Sequence, residues 1–158
     1  MPSFEKAFID AWPNSIKYKD LELFSLDRIP VKKKFSGTIR LISTNSEWKQ
    51  AVVLKVPKGK GKITIDSDTS GACEGFFLWE SGFKDDIHHF EGTSNDLQLL
   101  VYNAWQCDDW MGNMYTNYWS HGAAMIIEVN GNTRRYRCND GHPDDNFDDI
   151  IFEVTIDE

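Results

Sequence analysis

Cysteine is scarce in this chain: Cys73, Cys107 and Cys138 are widely spaced and form no CxxC pair. An odd count without close spacing argues against a disulfide framework or a zinc ribbon and reads as buried thiols. A single disulfide with one thiol left over is also compatible with the count. No stretch reaches the roughly 18 apolar residues that a membrane helix needs. The opening MPSFEKAFIDAWPNS has no apolar run behind a basic stretch. No secretory signal is visible, so the expectation is a cytoplasmic protein or one exported without a conventional signal peptide. Basic residues are in deficit, 17 Lys and Arg against 25 Asp and Glu, for a formal net charge of −8. Such a surface repels phosphate backbones, so nucleic acid is not an expected partner; a cation, a neutral ligand or a basic protein is. There is no GxGxxG or GxxxxGK[ST] phosphate loop and no GxSxG. Ser120 and His121 are sequence neighbours, which rarely form a nucleophile–base pair, and no Cys–His set can be specified. The chain is therefore not expected to be an enzyme.

What is present suits one ordinary domain of 158 residues, with 41% hydrophobic and 13% aromatic residues. That is enough apolar surface for a full core. From Ser3 to Trp12 the apolar residues Phe4, Ala7, Phe8 and Ala11 fall at helical spacing, and Pro13 stops the pattern. Residues 1–20 read as a short N-terminal helix or arm. Beyond it, β-branched and aromatic runs alternate with Gly, Asn and Asp clusters. Nine candidate strands result: Leu21–Leu26, Gly37–Ser43, Ala51–Pro57, Lys62–Ser67, Gly75–Trp79, Leu97–Ala104, Ala123–Val129, Thr133–Cys138 and Ile150–Ile156. Asn130-Gly131-Asn132 marks a hairpin, because Asn and Gly tolerate positive φ. Lys58-Gly59-Lys60-Gly61 reads as a second one. Lys32-Lys33-Lys34 reads as a solvated strand edge. Nine short strands with turn signals and little helix predict an all-β antiparallel β-sandwich over residues 21–158.

One stretch carries most of the chemistry. Asn139-Asp140-Gly141-His142-Pro143-Asp144-Asp145-Asn146-Phe147-Asp148-Asp149 places five Asp within ten residues. Crowded carboxylates repel one another unless a hard divalent cation sits among them. Ca²⁺ accepts six to eight oxygen ligands in irregular geometry, which a loop can offer. The spacing is not that of the twelve-residue helix–loop–helix calcium site. A solvated acidic turn at a sheet edge is the alternative. Phe147, the one apolar side chain among the acids, favours a folded site, since it can anchor the loop while its neighbours converge.

This C-terminal stretch resembles that of the bacterial calcium-mediated lectins, the fucose- and mannose-binding family. The similarity lies in Asp144-Asp145-Asn146-Phe147-Asp148-Asp149 followed directly by IIFEV, and in Asp140 nine residues before Asp149. A second similar segment is LISTNSEWKQAVVLKV, with Asn45 heading a loop between two strands. The resemblance implies a sandwich that binds one or two Ca²⁺ in the loop, with vicinal sugar hydroxyls completing the coordination. It implies side-chain ligands from Asp140, Asp144, Asn146, Asp148 and Asp149, and a main-chain oxygen from Asn45. Ser46, Glu47 and Trp48 fall on the loop that sets sugar preference, and Asp144 and Asp148 also face the sugar. A C-terminal carboxylate lent by a partner subunit implies Glu158 and a homodimer or higher oligomer. Asn146 stands where the family has an Asp bridging two ions, Gly141 replaces an Asp that binds sugar hydroxyls, and Glu47 and Trp48 replace small residues. Glycans are the implied partners, with membranes reached only through them.

Two other readings stay open. One is a calcium-stabilised structural or adhesion module without sugar binding. The other is a membrane-binding β-protein that uses Trp105, Trp110, Tyr115, Tyr118 and Trp119, which otherwise read as core and loop packing. His88-His89, after Asp85-Asp86, reads as an exposed loop; on a strand the two rings would point to opposite faces.

Overall fold

The computed structural model describes residues 4–12, 14–66, 71–82, 87–108, 114–117, 123–140 and 146–158. One helix, α1 (Phe4–Ala11), precedes the strands β1 (Ile16–Tyr18), β2 (Leu21–Leu23), β3 (Asp27–Pro30), β4 (Lys34–Thr44), β5 (Lys49–Lys55), β6 (Gly61–Ile65) and β7 (Gly75–Trp79). After a 3-10 turn at Glu80–Gly82 come β8 (Ile87–Ser94), β9 (Gln98–Asp108), β10 (Met114–Asn117), β11 (Ala124–Asn130), β12 (Thr133–Asn139) and β13 (Ile150–Ile156). A six-stranded sheet runs β11-β12-β13-β4-β8-β6, and a five-stranded sheet runs β10-β9-β5-β7 with β3 also on β9. β1 and β2 form a separate ribbon. Every pairing between these strands is antiparallel.

The alternation of apolar residues decides which sheet faces bury. Along β13, Ile150, Phe152 and Val154 are buried while the residues between them are half-exposed. They meet Val52 and Leu54 of β5, Leu99 and Val101 of β9, and Phe76 and Leu78 of β7 in one continuous core. This is the period-two pattern of two sheets packed face to face. Inside that core Tyr136 lies against Phe152, ring centroids 4.8 Å apart. Its hydroxyl donates to the buried Asp27 carboxylate at 2.6 Å, and Arg134 Nη1 donates to both oxygens of the same group at 2.9 and 3.0 Å. Asp27 sits on β3 and its two donors on β12, so this ion pair ties one sheet to the other.

All nine candidate strands are present, and β1, β3, β8 and β10 join them. The Asn130–Asn132 turn is a hairpin: Asn130 pairs with Thr133, and Gly131 takes φ 63°. Lys58–Gly61 is not. Both edges of β5 are already occupied, by β7 and β9, so the chain crosses the sandwich and β6 pairs with β8 in the other sheet. The two histidines lie on a strand rather than a loop, because β8 pairs on both sides, with β4 and β6. His88 points inward and is buried, whereas His89 is exposed. The N-terminal helix packs onto the sandwich. Phe4 and Phe8, one turn apart, are buried with Leu23, Ala124 and Phe147 in a second, smaller cluster. Of the aromatic-rich segment, Trp105 is buried on β9 and Tyr115 lies on β10, paired with Cys107. Trp110, Tyr118, Trp119, Ser120, His121 and the Asp85-Asp86 pair lie outside the described residues.

Candidate metal centre

Two connections meet at one end of the sandwich. β4 ends at Thr44, and residues 45–48 carry the chain across to β5 in the other sheet. Near that end β4 carries a bulge: Leu41 pairs with Phe152 and Ser43 with Ile151, leaving Ile42 as the extra residue. A bulge bends its strand and re-aims the residues beyond it. The second connection, residues 140–149, joins β12 to β13. Since Thr44 pairs with Ile150, Asn45 emerges beside Asp149.

The contact is a set of hydrogen bonds. Asn45 N donates to Asp149 O at 3.0 Å, and Asn45 Nδ2 to Asp148 Oδ2 at 2.8 Å. Ser46 Oγ donates to Asp140 Oδ2 at 2.8 Å, and Asp140 N to Asp149 Oδ2 at 2.9 Å. A third element braces the crossover: Glu80 accepts from Gln50 N at 3.0 Å and from Thr44 Oγ1 at 2.9 Å. Sheet pairing and crossover geometry thus bring together Asn45, Ser46, Asp140, Asp148 and Asp149 from segments far apart in the chain.

Phe147 shapes the acidic connection. Its ring is buried in the smaller core cluster, 6.2 Å from the Phe4 ring. Its backbone takes φ 53°, a left-handed conformation rare for a bulky side chain, and its N–H donates to the buried Asn139 Oδ1 at 2.8 Å. The reversal sends the ring into the core while the following Asp148 and Asp149 meet Asn45. Asp140 and Asp149 are only 2% and 6% exposed, so these carboxylates face the interior. Asp148 is half-buried and Asn146 exposed. Beneath them, burial pushes the Cys138 thiol well above its ordinary pKa, and the Asp149 charge adds to the effect. It stays a protonated thiol, a poor ligand for a hard ion.

Beneath the carboxylates lie two polar side chains that strand periodicity places inside the sandwich. Gln50 on β5 and Asn103 on β9 are both fully buried. Gln50 Nε2 donates to Asp140 Oδ2 at 3.2 Å and to Trp48 O at 3.1 Å. Asn103 Nδ2 donates to Asn139 O at 2.9 Å. These partners are all acceptors, so the NH₂ groups must face them and neither amide can be flipped. The carbonyl oxygens Gln50 Oε1 and Asn103 Oδ1 consequently stand on the other side, and neither finds a donor among the described residues. A buried acceptor left unmatched costs about 1–3 kcal/mol.

The other expected residues are scattered. Glu47 is exposed, and Trp48 is half-buried with its N–H directed at Ser46 Oγ, 3.2 Å away. Asp144 lies outside the described residues, as do Gly141, His142 and Asp145. Glu158 lies past the far end of β13. At about 3.3 Å per residue that end is roughly 20 Å or more from Asp149, so within one chain it is remote from the centre. Gln50, Glu80, Asn103 and Asn139 were not expected there. Their signal in the sequence is a polar residue at an inward position of an otherwise apolar strand, as in QAVVL and LLVYNAW.

No family profile, curated protein or solved structure matches this chain. The likeness to the calcium-mediated lectins therefore rests on the residues themselves. Their chemistry fits a hard cation: carboxylate, amide and hydroxyl oxygens, with two buried carbonyl oxygens that find no donor among the described residues. Among the described residues no three His, Cys, Asp or Glu side chains are grouped closely enough to hold an ion. The loop's other two acids, Asp144 and Asp145, lie outside them.

Proposed function

We propose that this protein binds carbohydrate through Ca²⁺ held between the Asn45–Trp48 crossover and the 140–149 connection. The observation that carries this reading is their direct contact. Asn45 and Ser46 hydrogen-bond to Asp148, Asp149 and Asp140, joining the two segments on which the lectin resemblance stands. A sugar diol in water resembles water itself, so polar contacts alone discriminate poorly. A bound cation with open coordination positions would give its hydroxyls strong, directional contacts, and neighbouring carboxylates would accept the hydroxyl hydrogens. Asp148 is half-buried, and Ser46, Glu47 and Trp48 are at the surface or partly so; on this reading they would meet the ligand.

A second reading has its own observation. Asp140 and Asp149 are almost wholly buried and knit the two connections together. An ion there could serve only to lock the end of the sandwich, as in a structural or adhesion module. Two measurements separate the readings. Thermal unfolding with Ca²⁺ and with chelator tests the ion: at a concentration a hundred times its Kd it stabilises by about 2.7 kcal/mol. Glycan-array binding with and without chelator tests the sugar. A melting temperature indifferent to Ca²⁺ removes both readings. Calcium-dependent stability without glycan binding leaves the structural module.

A further inference from the structure

We propose that β7 is the docking edge for a second copy of this chain, the two β7 strands pairing antiparallel about Phe77 so that their five-stranded sheets join into one. The inference goes beyond the calcium and sugar reading and does not depend on it. It starts from backbone chemistry. β5 pairs with one side of β7. Val56 N donates to Glu74 O at 2.8 Å, and along an antiparallel ladder residues bonded to the neighbouring strand alternate with residues turned away from it. Phe76 and Leu78 therefore bond to β5, while Gly75, Phe77 and Trp79 turn their N–H and C=O groups outward. Among the described residues nothing pairs with that outward edge. A row of unpaired donors and acceptors is a template for another strand.

The other sheet edges are protected. On β11, Met125 exchanges hydrogen bonds with Phe24 at 2.8 and 2.9 Å, and on β6 Ile63 exchanges them with Cys73 at 2.7 and 2.9 Å. Beyond β9 lie the short β10 and β3, and β3 ends in Pro30. By contrast β7, GFFLW, has no charge, no proline and no bulge. The acids on either side of it are turned back into their own chain: Glu74 accepts from Gly59 N, and Glu80 from Thr44 Oγ1 and Gln50 N.

The strand is self-complementary, which favours a second copy over an unrelated strand. Phe77 is the centre of β7, so a two-fold axis there pairs Phe77 with Phe77, Gly75 with Trp79 and Phe76 with Leu78. Each outward N–H then meets an outward C=O of the other copy. On the outer face Phe77 is 44% exposed and lies beside Trp79, ring centroids 6.2 Å apart and planes 17° from parallel. Pairing continues these rings into one aromatic row across the seam, the kind of cross-strand contact that stabilises a sheet.

Sedimentation equilibrium on the full chain, with Ca²⁺ and with chelator, tests the association. A seam this short is expected to give a reversible dimer with a Kd of about 1–100 μM. Phe77→Lys sets two like charges face to face at its centre. Because the side chain is exposed the fold should survive, and Kd should rise by about 10–100-fold. Amide hydrogen exchange on the wild type keeps the test independent of that variant. As concentration rises through the Kd, exchange at Gly75, Phe77 and Trp79 should slow, while Phe76 and Leu78, already bonded to β5, should change little. A wild type that stays monomeric to about 1 mM leaves β7 to a strand of another protein and overturns the proposal. A dimer with unchanged Kd in folded Phe77→Lys, or without slower exchange at Phe77, overturns it too: the contact then lies elsewhere, as in the lent C-terminus that the lectin resemblance implies.

Discussion

Replacing Phe147 by alanine and, separately, by glycine resolves two opposing contributions at one position. The ring is 3% exposed and packs with Phe4, Phe8, Leu23 and Ala124. Removing a buried Phe side chain costs about 3–5 kcal/mol. Both variants lose this, a large part of the roughly 5–15 kcal/mol available to a domain. The backbone contribution differs between them. At φ 53° a residue with a Cβ is strained by about 1–2 kcal/mol relative to the right-handed region, and glycine is not. Phe147→Gly should therefore be the more stable variant by about 1 kcal/mol. At an ordinary helix or strand position the order is reversed, glycine being worse by about 0.5–1 kcal/mol. Urea unfolding monitored by Trp fluorescence reads the difference. With m near 2 kcal/mol per M, the glycine midpoint should lie about 0.5 M above the alanine one. A glycine midpoint at or below the alanine midpoint would show that the left-handed turn is not held at Phe147, and the account of how Asp148 and Asp149 are aimed would fail with it.

Asp149→Ala should abolish the Ca²⁺-dependent rise in melting temperature and, by stranding the Asp140 N–H, cost about 1–3 kcal/mol without metal; retained calcium affinity contradicts the ligand assignment. Asp27→Ala strands the Tyr136 hydroxyl inside the sandwich and leaves the part-buried Arg134 without its carboxylate, and denaturant unfolding should show a loss of about 3 kcal/mol. Burial first, then the neighbouring Asp27 charge, holds the Tyr136 phenol well above its ordinary pKa of 10.0. Its contribution to stability is complete below pH 10. It declines as the unfolded chain ionises above that pH and the folded chain does not, up to the raised folded pKa. An alkaline unfolding series should show this decline, and it should shrink in Tyr136→Phe; equal slopes in the two proteins would refute the assignment.

The sandwich was legible because its strands bury alternate residues, so period two is written into segments such as β13. The four unexpected strands hide that signal for identifiable reasons. β8 has His88 at its first inward position, where an apolar residue is the usual mark, and β3 buries Asp27 and ends in Pro30. β1 and β10 are only three and four residues long. Lys58–Gly61 announces a turn, yet nothing local says whether the next strand pairs with the last one; that depends on β7 and β9 occupying both edges of β5. The acidic connection stood out by composition, and Phe147 by being alone among acids. Contact between that connection and Asn45–Ser46 is a property of the sheet order, which puts β4 beside β13. The inward polar pair Gln50 and Asn103 was visible as two interruptions in apolar strands, but their meaning depends on which residues lie opposite them across the core.

The placement of β13 between β12 and β4 has a consequence for how the chain is made. Thr44 and Ile150 are neighbours in the sheet but about a hundred residues apart in synthesis. Until the ribosome has released residues 150–156, β4 has one unsatisfied side, and the half-built layers cannot shut over their apolar faces. A nascent chain halted short of Ile150 is thus left with its central seam open.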